Sequence, residues 1–308
     1  MSHVWFYRLM QGVFLISLLL CLIFRTKWMS AGAFLLDFTV YNKIIREIGE
    51  KMDTFIWLYE LVGELDMLIC TASFRKSLPA FCVPGFHEEL SIEMEDIYHP
   101  LIDNPVYNSV KLRKNTIITG SNASGKSTFI KAAAINEIFA QTIHTCTARR
   151  FVLPPTYIKT SMAVRDNLME GESYYIREIK SLKRTALSTD GRLPVFCAID
   201  EILRGTNTIE RLAASASILQ YLQDKNCIVL VATHDLELLD MLKDSGYDNY
   251  YFSEQPEAED VIFDYKIHSE ASRQTNAIRL LERIRFPEDV IGRANYFYQQ
   301  IIVTKSQK

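Results

Sequence analysis

Apolar and polar residues are arranged along this chain in three ways, and each arrangement predicts a different element. Between residues 37 and 76, Tyr41, Ile44, Ile45, Ile48, Met52, Phe55, Tyr59, Val62, Leu65 and Ile69 recur every three or four positions, the spacing of one helix face. Lys43, Arg46, Glu47, Glu50 and Lys51 fall on the other face. The spacing therefore predicts one long amphipathic helix with a solvated, ion-paired side. Three short stretches, at residues 116–118, 195–199 and 227–232, are instead apolar almost without interruption. Such runs are strands buried on both faces of a sheet. The first is followed by FIKAAAINEIFAQ, a helical stretch.

The third arrangement is LMQGVFLISLLLCLIF at residues 9–24, which lies between Arg8 and Arg25 and has only Gln11 and Ser17 as polar interruptions. A bilayer core takes about 20 apolar residues, so the segment is short for a span. Two readings stand. One is a membrane anchor, with Arg25 and Lys27 holding the rest of the chain on the cytoplasmic face; the other is a helix buried in a larger helical domain. A signal peptide fits poorly, because no small-x-small cleavage site follows directly. Pro79, Pro84 and Gly85 break the chain further on. The expected organisation is a hydrophobic helix at 1–30, a helical lever segment at 31–85 and an α/β domain at 86–308.

Composition changes this picture little. The 308 residues are 48% hydrophobic and 23% charged with a net charge of −3, which argues for a globular chain and gives no basic stripe for nucleic acid. Six scattered cysteines with no C-x-x-C pair point away from zinc and toward buried free thiols in a reducing compartment.

Residues 115–128 read NTIITGSNASGKST, and Gly120, Gly125, Lys126 and Ser127 satisfy G-x-x-x-x-G-K-[ST] between a strand and a helix. In that setting glycines let backbone N–H groups turn toward phosphates, and the helix N-terminus adds its positive dipole end. Residues Gly120, Ser121, Asn122, Ala123, Ser124, Gly125, Lys126, Ser127 and Thr128 are therefore the expected nucleotide-binding loop. Lys126 would reach the β- and γ-phosphates, and Ser127 would ligate Mg2+. The strand at 195–199 ends in Asp200 and Glu201. Asp200 suits the metal sphere, and Glu201 suits the general base that orients the attacking water. A helix N-cap is the structural alternative for this pair. The strand Cys227–Ala232 ends in Thr233, His234 and Asp235. Ligands of open α/β sheets gather at the carboxyl ends of strands, which places His234 at the γ-phosphate rather than as a merely satisfied polar residue.

With these residues in view, the sequence resembles the ATPase domain of the MutS family of DNA mismatch-repair proteins, a relative of ABC-type ATPases. Tyr98-His99-Pro100, TGSNASGKST, DEILRGTN, ATHDLEL and the closing PEDVIGRANYF carry the likeness, from about Tyr98 to Tyr298. The resemblance implies a P-loop fold with a central, mostly parallel sheet, and ATP with Mg2+ as cofactors. It also implies a homodimer in which Thr206 and Asn207 border the opposite subunit. GESYYIREI is similar to the family's signature segment, which makes Ser173 the residue that acts in trans on the partner's γ-phosphate; a helix N-cap is its structural alternative. The helix around Gly63-Glu64-Leu65-Asp66 resembles the family's lever helices. No aromatic-x-glutamate wedge is identified in the chain, and the adenine-stacking residue is not fixed by Asn104-Pro105-Val106-Tyr107-Asn108. The expected function is thus an ATPase that couples ATP binding and hydrolysis to dimer geometry and acts on DNA. The alternative is a membrane-tethered ATPase acting on a protein partner.

Overall fold

The computed structural model describes residues 8, 10–19, 29–121, 123–162, 174–203, 206–256, 261–269 and 286–306. The chain divides into two compact units, Met1–Phe74 and Arg75–Lys308.

In the first unit the amphipathic stretch is helical, but as two helices: α1 (Met29–Glu50) and α2 (Met52–Ser77), whose last turn belongs to the second unit. They meet at Lys51, whose N–H is shared between the Glu47 and Ile48 carbonyls at 3.1 and 3.2 Å. Apolar periodicity runs through this junction unchanged, so the pattern alone reads as one helix. No residue of α2 is buried.

The membrane anchor expected at residues 9–24 is not supported. Among the described residues no helix is long and apolar enough to cross a membrane. The described part of that segment, residues 10–19, is helical. Residues 9 and 20–24 lie outside the described residues. Burial within this chain does not describe the segment either, since Leu15, Ile16 and Leu19 are more than 60% exposed.

The second unit is α/β. A six-stranded sheet has the order β10-β9-β4-β8-β7-β6, from β4 (Thr116–Thr119), β6 (Tyr157–Ser161), β7 (Val195–Asp200), β8 (Cys227–Ala232), β9 (Asp248–Pro256) and β10 (Val261–Ser269). All its pairings are parallel except β9 with β10. The three apolar runs seen in the sequence become β4, β7 and β8, with every residue buried. Alternation assigns their side chains to two cores. Ile118, Phe196, Ala198, Ile228, Leu230 and Ala232 pack toward α3 (Lys126–Thr142), while Ile117, Val195, Cys197, Ile199, Val229 and Val231 pack with α5 (Thr208–Gln223) and α6 (Leu236–Met241). Helices thus cover both faces, the arrangement that a parallel sheet requires.

A smaller sheet, β1-β5-β2-β3, is built from β1 (Gly85–Phe86), β2 (Ile92–Ile97), β3 (Asn108–Leu112) and β5 (Arg150–Leu153), and closes the α3-side core. Asn108 ties it to the large sheet: its Nδ2 donates to Tyr265 O at 3.0 Å, and its Oδ1 accepts from Ile267 N at 2.8 Å. The remaining helices are α4 (Tyr174–Ser188) and α7 (Glu288–Ser306). Cys146, Cys197 and Cys227 are buried as expected of free thiols, whereas Cys82 is half-buried and Cys70 exposed. Cys21 lies outside the described residues.

Candidate active site

Neighbouring strand ends assemble the site. Register pairs Ile118 of β4 with Ala232 of β8, and Ala232 with Asp200 of β7. The carboxyl ends of these three strands therefore lie side by side, and Thr233 N donates to Ile118 O at 3.0 Å. The phosphate-type loop, the acidic pair and the histidine leave the sheet together.

The loop leaves β4 through Gly120 at φ +144°, passes Ala123 at φ +77° and enters α3 through Gly125 at φ +108°. Both glycines are needed for space as well as conformation. A side-chain carbon on Gly120 would lie 2.9 Å from Phe252 O and 2.9 Å from Ser124 Oγ; on Gly125 it would lie 3.2 Å from Tyr265 Cδ1. The β9–β10 hairpin thus roofs the loop. Gly125 is the N-cap of α3 and brings no side-chain cap, so the first turn of that helix presents backbone N–H groups without a capping oxygen. Ser124 Oγ donates to Ser121 O at 2.9 Å and closes the turn. Lys126 is buried, and its ammonium donates to the carbonyls of Gly120, at 2.6 Å, and Ser121. Asn122 lies outside the described residues.

Ser127 Oγ donates to Asp200 Oδ1 at 2.7 Å, joining residues 73 positions apart. A hydroxyl and a carboxylate make a hard-oxygen donor pair of the kind Mg2+ accepts, because that ion takes most of its remaining ligands from water and phosphate. The residues fit the ion. Among the described residues no larger metal-binding cluster of His, Cys, Asp or Glu occurs.

Beyond Asp200 the chain turns sharply. Glu201 and Leu203 both adopt φ +59°, a left-handed conformation that costs a non-glycine residue on the order of 1 kcal/mol or more. Two contacts hold the turn: Glu201 N donates to Ala232 O at 3.0 Å, and Leu203 N donates to Oε1 of Glu178, a buried residue of α4. The turn brings Glu201 Oε1 to 3.2 Å from His234 Nδ1. His234 Nε2 lies 3.8 Å from Asp235 Oδ1, and that carboxylate accepts from Arg211 Nη2 at 2.7 Å. Arg211 belongs to α5, whose N-cap is Asn207: the Asn207 side chain accepts from Ile209 N at 3.0 Å. Thr206 precedes this cap. A chain of contacts therefore runs from the Asn207 cap through Arg211 and Asp235 to His234 and Glu201. Arg204, Gly205 and Ser173 lie outside the described residues.

The structure thus brings Gly120, Ser121, residues 123–128, Asp200, Glu201 and His234 to the same end of adjacent strands. Tyr98 and His99 follow β2; the Tyr98 hydroxyl donates to Ala80 O, its ring meets Tyr107 edge-on at 5.5 Å, and burial together with the Lys131 ammonium holds His99 below the ordinary imidazole value. Sequence reasoning missed Phe252, Tyr265, Glu178 and Arg211. Of these only Arg211 left a local signal, a cation one helical turn inside the α5 cap.

Residues 116–302, more than half of the chain, match the family model described as MutS domain V. The chain belongs to the MutS domain V family. A DNA mismatch repair protein MutS from Thermotoga petrophila is 28% identical over 282 residues, which is 88% of this chain and 35% of the relative. One from Leptospira interrogans is 26% identical over 271 residues, 83% of this chain and 32% of the relative. A third, from Listeria monocytogenes, is 27% identical over 279 residues, 86% and 32% of the two chains. The chain spans about a third of the length of these relatives. The MutS domain V match begins with β4 and takes in the loop, the acidic pair, His234 and most of α7.

Proposed function

We propose that this MutS domain V chain binds ATP with Mg2+ in the loop Gly120–Thr128 and hydrolyses it, and that two copies pair so that nucleotide state sets dimer geometry. The observation that carries this reading is the meeting of Lys126, the Ser127–Asp200 pair and the Glu201–His234 pair on adjacent strand ends. The α3 N–H groups and Lys126 bind the phosphates; the ammonium exchanges its loop carbonyls for phosphate oxygens. Ser127 and Asp200 would hold Mg2+, which would neutralise phosphate charge. Glu201 accepts the proton of the attacking water as its oxygen bonds to the γ-phosphorus and the bond to ADP breaks. His234 orients the Glu201 carboxylate and hydrogen-bonds the γ-phosphate. The resemblance to the MutS family supports a role for Ser173 in trans on the partner's γ-phosphate, with Thr206 and Asn207 bordering the opposite subunit. The relatives' name, DNA mismatch repair protein, makes DNA the proposed target.

Glu201→Gln tests the catalytic part. A general base contributes roughly 10²–10⁴-fold, so the variant should bind ATP yet lose hydrolysis by that factor; near-normal turnover would remove Glu201 from the role. Mixing Ser173→Ala with Lys126→Ala chains tests the shared site: one competent site per mixed dimer is expected, and uniformly dead mixtures count against it. DNA binding must weaken with salt as phosphate contacts release counterions. No salt-dependent binding would favour a protein target instead.

A further inference from the structure

Cys82 and Cys146 are 64 positions apart in sequence (146 − 82) and face each other as an isolated antiparallel bridge. Cys82 N donates to Cys146 O at 3.0 Å, and Cys146 N donates to Cys82 O at 2.9 Å. Residues that exchange both bonds in this way have Cα atoms about 5.5 Å apart, inside the span of roughly 4.4–6.8 Å that a disulfide bridges. The neighbouring Cys146 thiol lowers the Cys82 thiol below its ordinary value, against the effect of burial, and Cys82 together with burial raises Cys146. Exposure separates them as well: Cys82 is half-buried, while Cys146 is sealed in the core with its sulfur 3.7 Å from Asn136 O.

The surroundings are already held in place. Arg75 Nε donates to Thr145 Oγ1 at 2.8 Å and its Nη2 to His144 O at 2.9 Å, and its guanidinium lies 5.3 Å from the ring centroid of Phe81. The residues next to each cysteine are thus fixed by one side chain, so closing the sulfurs requires little backbone movement.

We propose that Cys82 and Cys146 are a reversible modification site, a dithiol that hydroperoxides convert to a disulfide. Cys82 attacks the peroxide: its sulfur gains one oxygen, the O–O bond breaks and water or an alcohol leaves. Cys146 then attacks the resulting sulfenic acid, its proton leaves with the hydroxyl as a second water, and the S–S bond forms. Two electrons pass from the two sulfurs to the peroxide, and a thiol reductant reverses the change. The disulfide closes a loop that contains Gly120–Thr128, and it staples the segment between α2 and β1 to the segment that follows α3.

Peptide mapping of the intact chain after brief exposure to hydrogen peroxide tests the site. A cross-linked peptide joining Cys82 to Cys146 is expected, lost again on treatment with dithiothreitol. In Cys146→Ser, Cys82 should stop at the sulfenic acid and be trapped by dimedone; in Cys82→Ser, Cys146 should stay unmodified at the same exposure. The wild-type map needs neither variant to fold. Oxidised Cys82 without a cross-link to Cys146, a cross-link from Cys82 to Cys21 or Cys70 in its place, or an unreacted Cys82 would each overturn the proposal.

Discussion

His234 Nδ1 lies 3.2 Å from Glu201 Oε1, although the two residues leave different strands and are separated by the whole of α5 and β8. Glu201 reaches this position by adopting φ +59°. The carboxylate proposed to take the proton is therefore oriented by the side chain proposed to meet the γ-phosphate. His234→Ala should leave ATP binding largely intact and lower turnover on the order of a hundredfold, the cost of a misplaced reacting group. Single-turnover hydrolysis with saturating ATP separates this from weaker binding. A raised KM with unchanged kcat would show that His234 only binds.

Gly120→Ala should damage the loop before any nucleotide arrives. The new carbon would stand 2.9 Å from Phe252 O, a backbone atom that cannot swing aside, and φ +144° suits no L side chain. A loss of several kcal/mol in unfolding free energy, or a chain that fails to fold, is expected from the strain and the clash together. Denaturant unfolding without ATP measures it. Gly125→Ala carries the strain of φ +108° but meets side chains rather than backbone, the Tyr265 ring at 3.2 Å and the Phe252 ring at 3.5 Å, and should cost less.

Arg211 and Asp235 form an ion pair whose side chains are 14% and 12% exposed, directly beside His234. Removing one partner strands a largely buried charge, which costs about 3 kcal/mol or more, whereas removing both is far milder. Arg211→Leu should thus destabilise the fold more than Arg211→Leu combined with Asp235→Leu. A double-mutant cycle in urea reads the difference. Additive effects would mean that the pair contributes little beyond packing.

The parts of the site legible in the sequence are those that one short segment carries whole. The loop motif sits between a strand and a helix, and Asp200 and His234 each end an apolar run, so local pattern was enough to group them. Phe252 and Tyr265 were invisible because their role depends on β9 lying beside β4, an adjacency that no local pattern encodes. Glu178 was hidden for a similar reason: its acceptor role exists only because Leu203 turns left-handed 25 residues later. The amphipathic stretch shows the opposite limit, since apolar spacing persists through Lys51 where the helix is interrupted. Cys82 and Cys146 lack any sequence spacing that marks a pair, yet the fold sets them opposite each other.

Glu137 gives the pH dependence. It is fully buried on α3; Thr156 Oγ1 donates to its Oε2 at 2.9 Å, and its Oε1 has no hydrogen-bond partner among the described residues. Burial raises its carboxyl from the ordinary 4.5 to about 8, with the Thr156 bond opposing. The folded chain then keeps this proton where the unfolded chain has lost it. Stability from this group is accordingly unpenalised below pH 4.5 and falls as pH rises from 4.5 toward 8, with a slope of up to about 1.4 kcal/mol per pH unit. Glu137→Gln removes the ionisable group while keeping an acceptor for Thr156, so the variant should lose this slope and gain on the wild type most near pH 8. Unfolding midpoints in urea measured from pH 5 to pH 8.5 test it. Parallel wild-type and Glu137→Gln curves would mean that the carboxylate is stabilised by water reaching Oε1, and that the buried acid is ionised in the folded chain.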